Sequence, residues 1–274
     1  MNTMNERGKG FGWIESIFRF PIINNMQLST LNILVLCTVL ICISMYYFAI
    51  YTPKNTHKKK SLDETLSTIC PLTDEAIRAD LLLMKHKFVP MFDQPVPYKP
   101  EMTYGEMFYL EDTGEQPHVF DWIVDRVNAT TNTNMKTRKN KHTILKEIQD
   151  KHLYVVMQLK DRFQKPRPKY NSKRLQILFP IHDVPSAQSP AFPSGHAFCG
   201  MMFGAILYRD HKTAINIEEI AEQCFDVGMR RIIGGVHYPS DIVGAFYVVK
   251  HITQDWHIER LIQLYESKAL RIVS

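Results

Sequence analysis

The chain has 274 residues, of which 45% are hydrophobic and 22% charged, with a mean hydropathy of -0.20. That composition excludes a disordered or collagen-like chain and a many-spanning membrane protein, and it supplies enough apolar side chains for one sizeable core. The net charge of +5 resides in residues 1–60, which hold seven Lys/Arg against two Asp/Glu; the remainder carries 26 of each, so the basic character marks a tail and not a nucleic-acid-binding globule.

Residues 1–30 read as an N-terminal tail. Residues 20–53 carry no charge, and within them Leu31 to Tyr51 is a nearly continuous apolar run of 21 residues. At 1.5 Å per residue such a helix spans roughly 30 Å, one bilayer core. Tyr46, Tyr47 and Tyr51 suit its interfacial end. The run is long for a signal-peptide core and no A-x-A-like cleavage site follows, so residues 31–51 are predicted to be a retained single-pass membrane anchor. Residues 52–70 read as a polar, Lys-rich linker, and residues 71–274 as one helical domain.

Thr73 can cap a helix running through Ile77, Leu81, Leu82 and Met84. His118–Val127 has apolar residues at helical spacing, and polar residues 129–142 read as a loop. Thr143–Phe163 is the clearest amphipathic helix, with Ile144, Ile148, Val155, Leu159 and Phe163 near one face; Pro166 and Pro168 end it. Residues 169–192 look irregular, broken by Pro180, Pro185 and Pro190. Helices follow over 194–209, 215–230, 239–251 and 255–270, and the apolar stretch His196–Tyr208 is too short to span a bilayer and reads as a core helix. No period-two strand series and no repeat occurs, so the expected fold is an all-α bundle. The five cysteines, Cys37, Cys42, Cys70, Cys199 and Cys224, show neither disulfide nor zinc spacing, and Cys199 and Cys224 read as small buried hydrophobes.

Three segments carry chemistry. In Lys160–Pro168, a lysine on the last turn of a helix is followed seven residues later by Arg167-Pro168, so two cations can converge. In Pro193-Ser194-Gly195-His196, Ser194 is a good N-cap, Gly195 admits close backbone approach to an anion, and the helix N-terminus aims N–H groups at it. In Arg231–Asp241, His237 and Asp241 are four residues apart, where a carboxylate can hold one ring N–H and leave the other nitrogen as nucleophile or base. The set offers donors for an oxyanion-rich group, one nucleophile and one acid. It lacks a Walker loop, a carboxylate cluster for Mg²⁺ and a three-ligand zinc pattern, which points to phosphoryl transfer without metal. The basic run Lys136–Arg174 has only Tyr154, Phe163 and Tyr170 among its aromatics, fewer than a nucleic-acid stacking platform needs.

In order and spacing these three segments resemble the signature of the type 2 phosphatidic acid phosphatase and vanadium haloperoxidase superfamily, over about residues 100–255. The single anchor and mostly soluble body are similar to bacterial class A non-specific acid phosphatases. The resemblance implies that His237 attacks phosphorus, Asp241 fixes its tautomer, and His196 protonates the leaving group and then activates water. Lys160, Arg167, Arg231, Ser194 and Gly195 would cradle the phosphate oxygens. It further implies a phosphomonoester or lipid phosphate (phosphatidic acid or isoprenoid phosphate) as substrate, no metal or cofactor, vanadate as an inhibitor, no nucleic-acid partner, and compatibility with a homo-oligomer. A vanadate-dependent haloperoxidase and a catalytically degenerate anion-binding protein are the alternatives. One departure stands out: Arg230 replaces the serine that the family usually has before the third-motif arginine.

Signals for membrane orientation oppose one another. Lys54, Lys58, Lys59 and Lys60 outweigh Arg19 and favour a cytoplasmic domain. The likeness to secreted and periplasmic phosphatases, with the acceptor triplet Asn128-Ala129-Thr130, favours an extracytoplasmic one, and long translocated domains override weak charge differences. The expectation is an extracytoplasmic site.

Overall fold

The computed structural model describes residues 61–70, 72–113, 119–130, 141–211 and 216–273. The expected anchor 31–51, the tail before it, linker residues 52–60, Cys37 and Cys42 lie outside the described residues. Among the described residues no helix is long and apolar enough to cross a membrane.

The domain begins earlier than its sequence suggests. Ser61 accepts the Glu64 N–H while the Glu64 carboxylate accepts the Ser61 N–H, a reciprocal cap that opens helix α1 (Leu62–Ile69). Leu66 on α1 is fully buried. The second half of the expected linker is therefore part of the folded unit, which runs from Lys60 to the C-terminus. Thr73 caps α2 (Asp74–Leu83) as expected, and a π turn (Met84–Phe88) and a 3₁₀ turn (Val89–Met91) continue it.

The bundle is not purely helical. Pro95–Val96 (β1) and Lys99–Thr103 (β2) form a small antiparallel hairpin that leads into α3 (Tyr104–Thr113). Its proline-rich strands are too short to give a readable alternation. Helix α4 (Val119–Thr130) carries the Asn128–Thr130 backbone in its last turn, so residues 129 and 130 are helical where a loop was expected. The predicted Thr143–Phe163 helix is two: α5 (Lys141–Lys151) and α6 (Leu153–Phe163), separated at His152, whose φ of -131° leaves the helical region. Gln164, at φ 46°, ends α6 in a left-handed cap, before either proline. Pro168 starts a helix, α7 (Pro168–Arg174), inside the segment expected to be irregular.

A 3₁₀ turn (Pro185–Gln188) and helices α8 (Gly195–His211), α9 (Ile217–Ile233), α10 (Pro239–Ile252) and α11 (Glu259–Val273) complete the described elements. Helix α8 is the axis of the core: Ala197, Phe198, Met201, Met202, Phe203, Ala205 and Ile206 are all fully buried, and Phe203 stacks on Phe120 of α4 at 4.1 Å. Each such large side chain contributes about 1.5–3 kcal/mol of transfer free energy. Helix α9 lies close against α8, because a Cβ on Gly228 would stand 2.8 Å from the Ala197 Cβ. Helix α10 packs on α8 and α11, and α11 presents Leu261, Tyr265, Ala269 and Ile272 inward at helical spacing. Cys224 is fully buried and Cys199 partly so; burial pushes both thiols up to about 12.

Candidate active site

The site forms where three helix ends meet: the C-terminal end of α6 with the start of α7, the N-terminus of α8, and the turn between α9 and α10. Lys160 stands on the last turn of α6. The left-handed Gln164 reverses the chain, and Arg167 precedes the first turn of α7 with extended backbone. The Ala191 N–H donates to the Lys165 carbonyl (2.8 Å), which holds the segment before α8 against this reversal. Ser194 accepts the Ala197 N–H at 3.4 Å, and the Ser194 N–H donates to the Asp241 carbonyl at 3.1 Å, so the starts of α8 and α10 are tied together. In front of Gly195 the space is open, since a Cβ there would meet nothing within 4 Å. Between α9 and α10, Gly235 adopts φ 78°, a left-handed conformation that favours glycine, and the turn fits beneath Pro180 and Ile181.

Every residue expected in the site lies in this region, but the pairing of His237 with Asp241 arises differently from the sequence argument. His237 precedes α10 and does not share its face. Asp241, in the first turn, reaches back with one oxygen, Oδ2, to the Tyr238 N–H (2.9 Å) and to His237 Nδ1 (3.0 Å). The other ring nitrogen, Nε2, is 2.8 Å from Arg167 Nη1. A guanidinium has no acceptor, so Nε2 must accept and the ring proton must sit on Nδ1, facing Asp241. Burial, reinforced by the Arg167 and Lys160 charges, holds the His237 imidazole well below its ordinary pKa and therefore neutral. Its Nε2 lone pair, engaged by the Arg167 guanidinium, faces the cationic wall.

That wall is built by desolvated cations. Lys160 donates to the Pro190 carbonyl, and burial, with Arg167 adding repulsion, lowers it to about 7. Arg167 also donates to the carbonyls of Ser189 (2.7 Å) and Val236 (2.9 Å); burial lowers its pKa to about 10, which leaves it charged at neutral pH. Arg231, fully buried, donates to Asp112 Oδ1 at 3.0 Å and to the Ser186 hydroxyl at 2.7 Å. His196 is the most accessible of the group, its side chain 29% exposed, with Nε2 3.6 Å from Asp112 Oδ1.

Asp112, at the end of α3, is a member that the sequence reading missed. It also accepts from the Ser186 hydroxyl at 2.8 Å, so a carboxylate occupies a nest of Arg231, Ser186 and His196. Lys165 is a second. It is fully buried behind Asp241 and donates to Asp241 Oδ1 (2.9 Å) and the Ser240 hydroxyl (2.8 Å). Neither had a sequence signal: Asp112 lies 119 positions from Arg231, and Lys165 reads as one more charge at a helix end.

Arg230 does not enter the site. It is fully buried and turned away from Arg231, bound to Glu111, to Asp226 (2.6 Å) and to the Tyr98 hydroxyl (2.8 Å). Burial opposes its charge, but Glu111, Tyr98 and Asp226 outweigh that cost and hold it protonated. The replacement of the usual serine thus adds a structural ion cluster and leaves the cradle residues in place.

Residues 152–250 match the family model of the PAP2 superfamily, and the matched stretch contains all three signature segments. This segment is similar to the PAP2 superfamily. No curated protein matches the chain significantly. PAP2 superfamily proteins are generally phosphatases, and the match supports phosphatase-type activity for the PAP2 segment.

Proposed function

We propose that the protein hydrolyses phosphomonoesters through a phosphohistidine on His237 without a metal ion, in the manner of the class A acid phosphatases. The observation that carries this reading is the orientation of His237: Nδ1–H toward Asp241, and Nε2 with its lone pair toward Arg167 and the cradle. In the first step a substrate phosphoryl group enters between Nε2 and the Arg167 guanidinium. Nε2 forms the N–P bond, the P–O bond to the leaving group breaks, and His196 supplies the proton for the departing oxygen. Lys160, Arg167 and Arg231 balance the equatorial oxygens, with the Ser194 hydroxyl and the Gly195 N–H beside them. In the second step water gives a proton to His196, its oxygen bonds to phosphorus, and the N–P bond breaks, returning the lone pair to Nε2.

A small pocket beside Arg167 is rimmed by Lys169, Asp183 and Gln188, polar groups that suit a small polar leaving group. The test is phosphate release from p-nitrophenyl phosphate with EDTA present, with acid-quenched labelling of the His196→Ala variant. The reading expects turnover that EDTA leaves unchanged and orthovanadate blocks, with label on His237. Label on another residue, or activity that EDTA abolishes and Mg²⁺ restores, refutes it.

A further inference from the structure

We propose that Lys165 is a positioning residue that acts on the nucleophile through Asp241, keeping His237 unprotonated in acid, with Asp80 limiting the strength of that effect. The inference rests on the proposed role of His237 and adds a control element behind it.

The geometry divides Asp241 between two partners. Oδ2 receives the His237 ring N–H, and Oδ1 receives the Lys165 ammonium at 2.9 Å. Neither side chain is reached by solvent. A carboxylate that faces only an imidazole stabilises the imidazolium, and an imidazolium cannot attack phosphorus. An ammonium on the remote oxygen cancels much of that field, so the imidazole stays neutral to lower pH. Burial alone would raise the Asp241 pKa; Lys165 and His237 hold it well below the ordinary carboxylate range. Asp241 is thus an anion at any working pH, and what reaches His237 depends on how fully that anion is balanced.

Lys165 is itself held from the far side. Ser240 accepts from Lys165 and donates to Asp80 Oδ2 at 2.5 Å, and Asp80, on α2, is 3.8 Å from the ammonium. The Tyr238 ring lies 4.1 Å beneath it and the Phe192 ring 5.8 Å away. The Cys70 thiol, just past α1, also senses its charge; burial pushes that thiol up to about 11. The charged groups acting on His237 are Asp241, Arg167 and Lys160, and those around Lys165 are Asp241 and Asp80. Removing Lys165 therefore takes the ammonium from Asp241 Oδ1 and leaves more of the carboxylate's field on His237, and removing the Asp80 charge directs more of the ammonium's field at Asp241. The two changes act on His237 with opposite sign.

The experiment uses the full chain with Lys165→Met and Asp80→Asn. Two readouts are followed against pH: the His237 ring nitrogens by ¹⁵N NMR, and kcat/KM for p-nitrophenyl phosphate. Lys165→Met should bring His237 protonation, and the acid limb of kcat/KM, to higher pH by about one unit, a tenfold loss at the foot of the limb. Asp80→Asn should move both to lower pH. A ring titration unchanged in folded Lys165→Met, or shifts of the same sign in both variants, overturns the proposal. If Lys165→Met does not fold, Asp80→Asn decides alone: a shift to lower pH supports the proposal, and no shift or the opposite one overturns it. The ring titration needs no turnover, so an inactive wild type with the predicted NMR shifts would count against the phosphatase reading and not against Lys165.

Discussion

Arg167 holds one guanidinium nitrogen 2.8 Å from Nε2 of His237, so the proposed nucleophile is already covered by the cation proposed to bind the phosphoryl group. A phosphoryl group must part the two. The Arg167 bonds to the Ser189 and Val236 carbonyls keep the guanidinium in place while it does so. The site is prepared for an anion, and its pH limits follow from the groups that have been desolvated to prepare it.

Lys160 sets the alkaline limit. Its folded pKa, about 7, lies below the ordinary lysine value, so its charge is lost as pH rises through about 7. We expect kcat/KM to fall above that point, and Lys160→Arg to move the fall upward by at least one unit, because guanidinium resists deprotonation. Linkage has a definite sign here. Between about 7 and 10.5 the unfolded chain binds the proton that the folded one has released, so Lys160's contribution to stability improves as pH rises through that window. Denaturant unfolding of wild type and Lys160→Met at pH 6 and 9 measures it.

Asp112 competes with phosphate for Arg231. Because the carboxylate already occupies Arg231 and Ser186, its removal should release donors to an incoming anion. Asp112→Asn should tighten inhibition by inorganic phosphate several-fold, read as a lower Ki. An unchanged or weaker Ki would show that the carboxylate does not contend for the cradle.

Arg230 should matter for stability and not for chemistry. Arg230→Ser leaves Glu111 and Asp226 buried without their cation, and breaking a buried pair in this way costs about 3–5 kcal/mol. Urea unfolding should show that loss. Turnover per folded molecule should stay within a few-fold of wild type below the unfolding transition.

Residues 60–274 should fold and act without what precedes them. They form one compact unit, and Ser61 supplies its first cap. A fragment starting at Lys60 should keep wild-type kcat/KM. One starting at Leu72 loses α1 and the buried Leu66, and should be less stable by about 2 kcal/mol or more.

Much of the frame was legible because it is written in local chemistry. Thr73 and Ser194 cap the helices they were expected to cap, and Pro239 opens α10. The apolar stretch from His196 reads as a core helix and is one. The break at His152 was hidden because α5 and α6 both bury their apolar residues, so the periodicity carries across the interruption. Its effect is a shifted stripe, with Val156 and Leu159 buried and Val155 only half-covered. The Ser61–Glu64 cap was visible in the residues but overshadowed by the lysines before it. The signature segments supplied Lys160, Arg167, Ser194, His196, Arg231, His237 and Asp241, which the fold brings together. Asp112, Lys165 and Asp80 escaped notice because they become partners only when α2, α3 and the α6–α7 reversal pack around the α9–α10 turn.

Arg230 and Arg231 are neighbours on α9, and neighbours on a helix diverge by about 100°. One turns to Glu111 and the other to Asp112, themselves neighbours on α3, so two adjacent rungs join the same pair of helices for unrelated purposes. The Arg230 rung is a strut, and the Arg231 rung is proposed to bind the substrate's oxygens. Their separation depends on helical phase alone. Inserting a single residue in α9 ahead of them would carry Arg230 to the position of Arg231, and deleting one would carry Arg231 to the position of Arg230; either change would empty one of the two rungs of its own arginine while every charged residue was still present.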